Sequence, residues 1–304
     1  MMILINLLLA NASSKFGGRV DYTIDQDIEL AKELLGISFK DLARAAGVDE
    51  ATLHRWRSGA SKPSATSQNG LYDYVYRQGI RLNEIKSQLH QEQAEASGRV
   101  LIFHGAKNDI DGSVSLDRSK SSNDLGMGFY CGETYAQSVM FVAGYPSSSV
   151  YLFGFDSRGL TRADYVVDQD WMLTVAWYRG KLSRYAGHKQ ILSLRERLEG
   201  SDYAVAPIAD NRMFALIDSF IDGEITDAQC QHCLAATNLG RQYVLRSGKA
   251  LSQLEGLEHC YIAPAEKELL LRTRAEESAV GSDKVKVARR QFRGQGFYVD
   301  ELFS

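Results

Sequence analysis

The sequence predicts an α+β protein in which a small all-α domain precedes a larger mixed domain. Residues 21 to about 95 place Leu30, Leu34, Leu35, Leu42, Ala43, Val48, Leu53 and Trp56 close to the spacing by which a helix buries one face. From residue 99 onward, strand-like runs alternate with helical ones. Between these regions HQEQAEASGR is polar and rich in small residues, which sets a linker near residues 91–98. A chain of 304 residues holds one large domain or two ordinary ones. The expected parts are an N-terminal segment at 1–20, a helical domain at 21–95, a mixed domain at 99–262 and a charged extension at 263–304.

Composition narrows the class. Hydrophobic residues at 44% and charged residues at 24% fit a soluble globular chain. A net charge of −3 gives no global nucleic-acid footprint, so any such contact must be local. Four cysteines without a secretory signal point to a reducing, cytoplasmic setting. The apolar opening MMILINLLLA is about half the length of a membrane span and lacks a positive flank, so no membrane partner is expected. It reads equally as a short core segment or as sequence upstream of the true start.

In the helical domain, Gly36 ends the first helix and Ser38 can cap the second. Gly47 permits a tight turn before the third, which Gly59 and Pro63 terminate. Two short helices joined by a glycine-containing turn make a helix-turn-helix. The run SFKDLARAAGVDEATLHRWRSGASKPS resembles the phage-repressor class of that motif over some 30 to 40 residues. The resemblance implies a second helix in the major groove of operator DNA, with Asp49, Glu50, Thr52 and Arg55 probing bases and Arg57 and Lys62 near phosphates. Asp49 to Lys62 carries three basic and two acidic residues, a weak positive stripe for a DNA reader. The competing reading is a bundle that binds protein or orients the mixed domain. Helical patterning continues from Leu71 to Gln91 through Tyr72, Tyr76, Leu82, Ile85 and Leu89.

The mixed domain offers strands at VLIFHG (100–105), FYCG (129–132), SSVYLFGFD (148–156), DYAVAPIA (202–209) and QYVLR (242–246). Helical patterns occupy 134–144, 169–182, 191–198, 212–221 and 226–238. Cys230 and Cys233 flank His232, but no second ligand pair stands at zinc-site spacing, so they read as small buried residues and no metal is expected. Lys284, Lys286, Arg289, Arg290 and Arg293 form a basic run interleaved with Phe292, Phe297 and Tyr298. Such a run is commonly a solvated tail, although basic residues with stacking partners also suit single-stranded nucleic acid.

Three separated motifs carry the chemistry: Phe103-His104-Gly105, Gly126-Met-Gly128-Phe-Tyr130 and Arg241-Gln242-Tyr-Val-Leu245. In that order and strand setting they resemble the His-Tyr-Glu signature of the ADP-ribosyltransferase superfamily, with Gln242 at the glutamate position. GMGFYCGETYAQSVMF is similar to the corresponding segment of poly-ADP-ribose polymerases, which aligns Tyr130 with the stacking tyrosine and Ser138 with a serine that follows it. The resemblance implies a split β-sheet core with helices, NAD as substrate, and cleavage at the nicotinamide bond. Such cleavage leaves positive charge on the ribose. His104 would select a ribose hydroxyl, Tyr130 would stack nicotinamide, and the third position would hold the other ribose. Gly105 and Gly128 would let the backbone approach the cofactor.

Gln242 can hold a hydroxyl through its amide but cannot act as a base at pH 7. Either the acceptor needs little activation or another carboxylate serves, with Asp210 and Glu224 as candidates. Arg212 could meet a pyrophosphate through its planar fork. The alternative for Asp210 and Arg212 is a helix cap with a surface ion pair. The resemblance extends to bacterial toxin-type members of toxin–antitoxin and phage-defence modules. Its implied partners are a macromolecular acceptor (RNA, DNA or protein) and an antitoxin. A regulator that senses NAD or a related nucleotide through a degenerate transferase domain is the competing function.

Overall fold

The computed structural model describes residues 14–15, 22–236 and 240–304. The apolar opening at 1–10 and the end of the expected helical run at Thr237 and Asn238 lie outside the described residues. The fold is α+β, and the chain divides into two compact units. The first draws on 1–113, 134–156 and 254–273, the second on 114–133, 157–253 and 274–304. No helix among the described residues is long and apolar enough to cross a membrane.

In the first unit, α1 (Ile24–Leu35), α2 (Phe39–Ala45), α3 (Glu50–Arg57) and α4 (Ala65–Arg77) close around Ile28, Leu42, Leu53, Trp56, Leu71 and Val75. The local signals act as expected. Gly36 caps α1 with φ 64°, Ser38 accepts a hydrogen bond from the Asp41 amide, and Asp49 accepts one from Thr52. Gly47, with φ 72°, makes the turn between α2 and α3.

The expected linker at 91–98 is instead the end of a helix, α5 (Leu82–Ala96). Packing overrides its polar composition: Ala94 is buried with Leu101, Phe103, Val139 and Val150, and its carbonyl accepts the Arg99 amide. The helices therefore share a compact unit with β2 (Val100–Ala106), β4 (Ser149–Phe155) and β8 (Leu254–Tyr261). β2, β4 and β8 are antiparallel, β4 lying between the other two, and the short β1 (Ser14–Lys15) pairs with β8. Every residue of β4 is buried, which explains a continuous apolar run without alternation. The helix α6 (Tyr135–Val142) starts with a capping box at Thr134 and Gln137 and buries Tyr135, Val139 and Val142 on the β2–β4 side.

One charged cluster ties α1 and α5 to β8. Lys86 has no solvent exposure; its Nζ donates to Asp27 Oδ1 at 2.8 Å and Glu258 Oε1 at 3.2 Å. Thr23 donates to Glu258 at 2.7 Å, Tyr72 donates to Asp27, and His90 Nε2 lies 3.4 Å from Glu258. Burial alone would push the lysine pKa down, but Asp27 and Glu258 raise it above its ordinary value. Burial would push Glu258 up, but Lys86, His90 and Thr23 hold it well below the ordinary carboxylate range.

In the second unit, β7 (Arg241–Leu245) pairs antiparallel with β3 (Phe129–Gly132) on one side and β6 (Tyr203–Pro207) on the other. The edge strand β5 (Arg162–Asp164) runs parallel to β6. Helices α7 (Gln169–Tyr178), α8 (Lys189–Glu199), α9 (Asn211–Ile221) and α10 (Asp227–Ala235) bury Trp171, Met172, Leu198, Ile217, Phe220 and Leu234 in one core with Ala204, Ala206 and Val244. A short helix, α11 (Gly248–Leu251), follows β7.

The expected charged extension is also structured. It forms α12 (Pro264–Gln291) and α13 (Val299–Leu302), and Ala288, Val299 and Phe303 enter the second unit's core with Val285 and Phe292 against it. Asp227 Oδ1 accepts the Phe297 amide at 2.7 Å, and Thr226 bonds the Gln295 carbonyl. Apolar residues spaced among the charges bury one side while Lys284, Lys286, Arg290 and Arg293 stay exposed.

Replacing Lys86 by Met would leave two buried carboxylates without their cation. We expect Lys86→Met to lower unfolding stability at pH 7 by about 3–5 kcal/mol, read from chemical denaturation. A carboxylate whose folded pKa is depressed stabilises above its unfolded value of 4.5 and loses that contribution as pH falls. Glu258 should therefore contribute less below about pH 5, while burial raises its neighbour Asp27 and gives that carboxyl the opposite trend. In Lys86→Met both carboxyls lose their cation and are neutralised as pH falls, so the gap to the wild type should narrow there. A gap that does not change between pH 7 and 4 would contradict this account.

Candidate functional site

In the second unit, strand register brings the tyrosine and glutamine motifs together. Tyr130 stands opposite Val244 and Gly132 opposite Gln242 across β3–β7, while Ala206 stands opposite Gln242 across β6–β7. Directly opposed residues share a face, so Tyr130 and Gln242 lie on the same side of the sheet. The two cross-strand neighbours of Gln242 are therefore Gly132 and Ala206, small residues that leave its side chain room.

Tyr130 is fixed at both ends. Its ring packs against the core, and its hydroxyl donates to the Gly126 carbonyl at 2.7 Å and accepts from the Leu125 amide at 3.1 Å. Burial pushes its phenol well above the ordinary value. The loop that meets it turns at Gly126, φ 74°, where an added Cβ would stand 2.7 Å from the Tyr178 ring.

Gln242 is buried, and its Nε2 donates to the Pro207 carbonyl at 3.2 Å and to Asp124 Oδ2 at 3.4 Å. Arg179 Nη1 lies 3.9 Å from the other Asp124 oxygen, and its guanidinium stacks over Phe214 at 3.6 Å. Burial drives the Asp124 carboxyl up to about 6, against the opposing pull of Gln242 and Arg179. Asp124 escaped sequence reasoning because SSNDLG is a polar loop without periodicity, and only the fold returns that loop to β7.

The other expected site residues divide between the units. His104, Gly105 and Ser138 belong to the first. His104 is half-buried on β2 and stands opposite Tyr151. Ser138 Oγ donates to the Phe103 carbonyl at 2.9 Å, and a Cβ at Gly105 would collide with the Ser138 carbonyl oxygen. The close approach that Gly105 allows is thus to α6. At Gly128 a Cβ would lie 2.5 Å from Val244 Cγ1, so the close approach that this glycine allows on that side is to β7.

Asp210 is the N-cap of α9. It accepts from the amides of Arg212 and Met213 at 3.0 Å and from Arg212 Nε at 2.9 Å. Arg212 Nη1 also donates to the Ser278 carbonyl at 2.8 Å. The cap explains both residues, and the expected pyrophosphate contact loses its free fork. Glu224 pairs with Arg289 on the surface at 3.3 Å. Cys230 and Cys233 are buried, with their sulfurs toward the carbonyls of Leu216 and Val285.

On α3, Arg55 donates to Thr52 Oγ1 at 2.6 Å, and Lys62 beyond it is exposed. Arg57, expected near phosphate, pairs with Glu29 at 3.1 Å and lies over the Phe39 ring.

Residues 100–255, just over half of the chain, match the family described as Protein of unknown function (DUF3990). The chain belongs to that family. No curated protein and no solved structure matches it. The matched span includes Asp124, Tyr130 and Gln242, as well as His104 and Ser138, while α1 to α4 and α12 fall outside it.

A carboxyl whose folded pKa is raised above its unfolded value stabilises fully below that unfolded value and loses the contribution as pH rises through the folded one. For Asp124 the window runs from about 4 to beyond 6. We expect Asp124→Asn to gain stability relative to wild type across it, by up to about 3 kcal/mol at pH 8, read from urea unfolding at each pH. A difference independent of pH would show that Asp124 is not desolvated.

Proposed function

We propose that this protein is an NAD-dependent mono-ADP-ribosyltransferase acting on a cellular macromolecule, with an ADP-ribosyltransferase-type split sheet and the biology of a bacterial toxin or phage-defence effector. The observation that carries the reading is the β3–β7 pairing. It unites two motifs that lie far apart in sequence, Gly-Met-Gly-Phe-Tyr and Arg-Gln-Tyr-Val-Leu, on one sheet face in the second unit. In this reading Tyr130 offers a ring held rigid by its hydroxyl anchors, a flat wall for nicotinamide. Gln242 positions a ribose hydroxyl through its amide. His104 contributes a ribose contact, as the resemblance assigns it. The exposed basic side chains of α12 give the best local reason to favour nucleic acid as acceptor.

A second reading, a DNA-binding regulator that senses a nucleotide, draws on the α2–Gly47–α3 turn. Two features weigh against it: Asp49 and Glu50 occupy the start of α3, where bases would be read, and Arg57 is paired with Glu29. Salt-sensitive binding to its own promoter, lost in Arg55→Ala, would favour the regulator.

The transferase is tested by incubating the chain with labelled NAD and whole-cell extract, then digesting the product with nuclease or protease. Label should appear, and His104→Ala and Tyr130→Ala should abolish it while remaining folded. Wild-type labelling in both variants would refute the assignment. Gln242→Ala should lose about 5- to 150-fold in rate, equivalent to roughly 1–3 kcal/mol of hydrogen bonding, whereas Gln242→Glu should keep activity or change the acceptor. Expression of the intact chain should slow bacterial growth, and His104→Ala should relieve it.

A further inference from the structure

We infer that Asp124 is the catalytic carboxylate of this site: it stands beside the amide of Gln242, steadies the positive charge that develops on the ribose, and takes the proton of the acceptor. The inference rests on the transferase reading and names the group which that reading leaves without an owner. Gln242 is neutral and has no proton affinity near pH 7. Both carboxylates that the sequence offered are engaged elsewhere, Asp210 in capping α9 and Glu224 with Arg289. Asp124 is tied directly to the glutamine side chain.

Three features separate Asp124 from an ordinary loop aspartate. Its side chain is 15% exposed, so it is largely shielded from bulk water. Its two oxygens have different partners, the Gln242 amide on one and Arg179 at the edge of salt-bridge distance on the other. Arg179 follows α7, and its stacking on Phe214 fixes where it sits, so the carboxylate is oriented without being fully neutralised. The groups facing Asp124 are Arg179 from the α7 side, Gln242 from β7, the Ala209 amide beyond β6, and Tyr130 from β3. Tyr130 cannot replace it as the base, because its hydroxyl is held by the backbone of Leu125 and Gly126 and its phenol stays protonated. A desolvated carboxylate with one distant cation retains affinity for a proton near neutral pH, as a general base requires.

The step balances without any other reagent. The bond between ribose C1′ and the nicotinamide nitrogen breaks, and its electron pair leaves with nicotinamide, which departs neutral. A lone pair of the acceptor forms the new bond to C1′, and the acceptor's proton passes to the Asp124 carboxylate and then to water.

A purely structural Asp124 would hold its loop to Gln242 and nothing more, and a carboxylate exchange separates the two roles. Nicotinamide release from labelled NAD, with cell extract as acceptor source, is measured against pH for wild type, Asp124→Asn, Gln242→Glu and the double variant Asp124→Asn/Gln242→Glu. We expect the wild-type rate to fall as pH drops through about 6. Asp124→Asn should lose roughly 100- to 10,000-fold and its pH dependence. The double variant, with the carboxylate moved to position 242, should recover to within about tenfold of wild type, its acidic limb displaced. Asp124→Asn activity within about threefold of wild type, or a folded double variant as slow as the single one, would overturn the role and leave the transferase standing. No nicotinamide release by the wild type would overturn both. If Asp124→Asn does not fold, the wild-type profile decides, since the absence of an acidic limb between pH 5 and 7 is incompatible with Asp124 as the base.

Discussion

The first unit is organised around a lysine that sees no water. Taking a single ammonium group out of solvent costs several kcal/mol, and only full pairing makes that placement tolerable. Lys86 meets Asp27 from α1 and Glu258 from β8; Tyr72 and His90 face the other oxygen of each carboxylate, and Thr23 shares Glu258 Oε1 with the lysine. The cluster joins α1, α4, α5 and β8, so none of them can shift without exposing a charge to an apolar interior. Such a cluster adds little net stability compared with a hydrophobic core, but it fixes geometry. It makes α1 and α5 part of the same body as β2, β4 and β8.

The second unit follows a different logic. Its core is apolar and continuous, and the polar groups gather where β3, β6 and β7 run side by side. Register decides what those groups can do. A slip of one residue between β3 and β7 would turn Tyr130 to the opposite face from Gln242. Small residues at 132 and 206 then leave space around the glutamine, and the loop at 123–126 closes that space with Asp124 and with the backbone groups that hold Tyr130. Two glycines let elements approach on the side where a Cβ would point: Gly105 admits α6 and Gly128 admits β7.

Much of the fold was legible locally. Helix caps at Ser38 and Asp49, the turn at Gly47, the strands at 100–106, 129–132 and 241–245, and the wholly buried β4 all follow from side-chain periodicity and from residues with one strong backbone preference. These signals span a few residues, and each is encoded where it acts. The expected linker at 91–98 is helix, and the charged extension after 263 docks part of its length, for a common reason. Polar composition suggested solvent, while a few apolar residues, Ala94 in one case and Ala288, Val299 and Phe303 in the other, were enough to dock the segment.

By itself the sequence determined the class of the fold, the identity of most elements and the pair of motifs at Tyr130 and Gln242. The partition into units, the cluster around Lys86 and the carboxylate beside Gln242 were decided only by the tertiary structure. Asp124 and Gln242 are 118 positions apart, and nothing in either local pattern marks the other as its partner. Their meeting depends on strand order and on one loop's return to β7. The raised proton affinity of Asp124 follows from the burial this creates, because desolvation belongs to a place in the fold and is not carried by any residue alone.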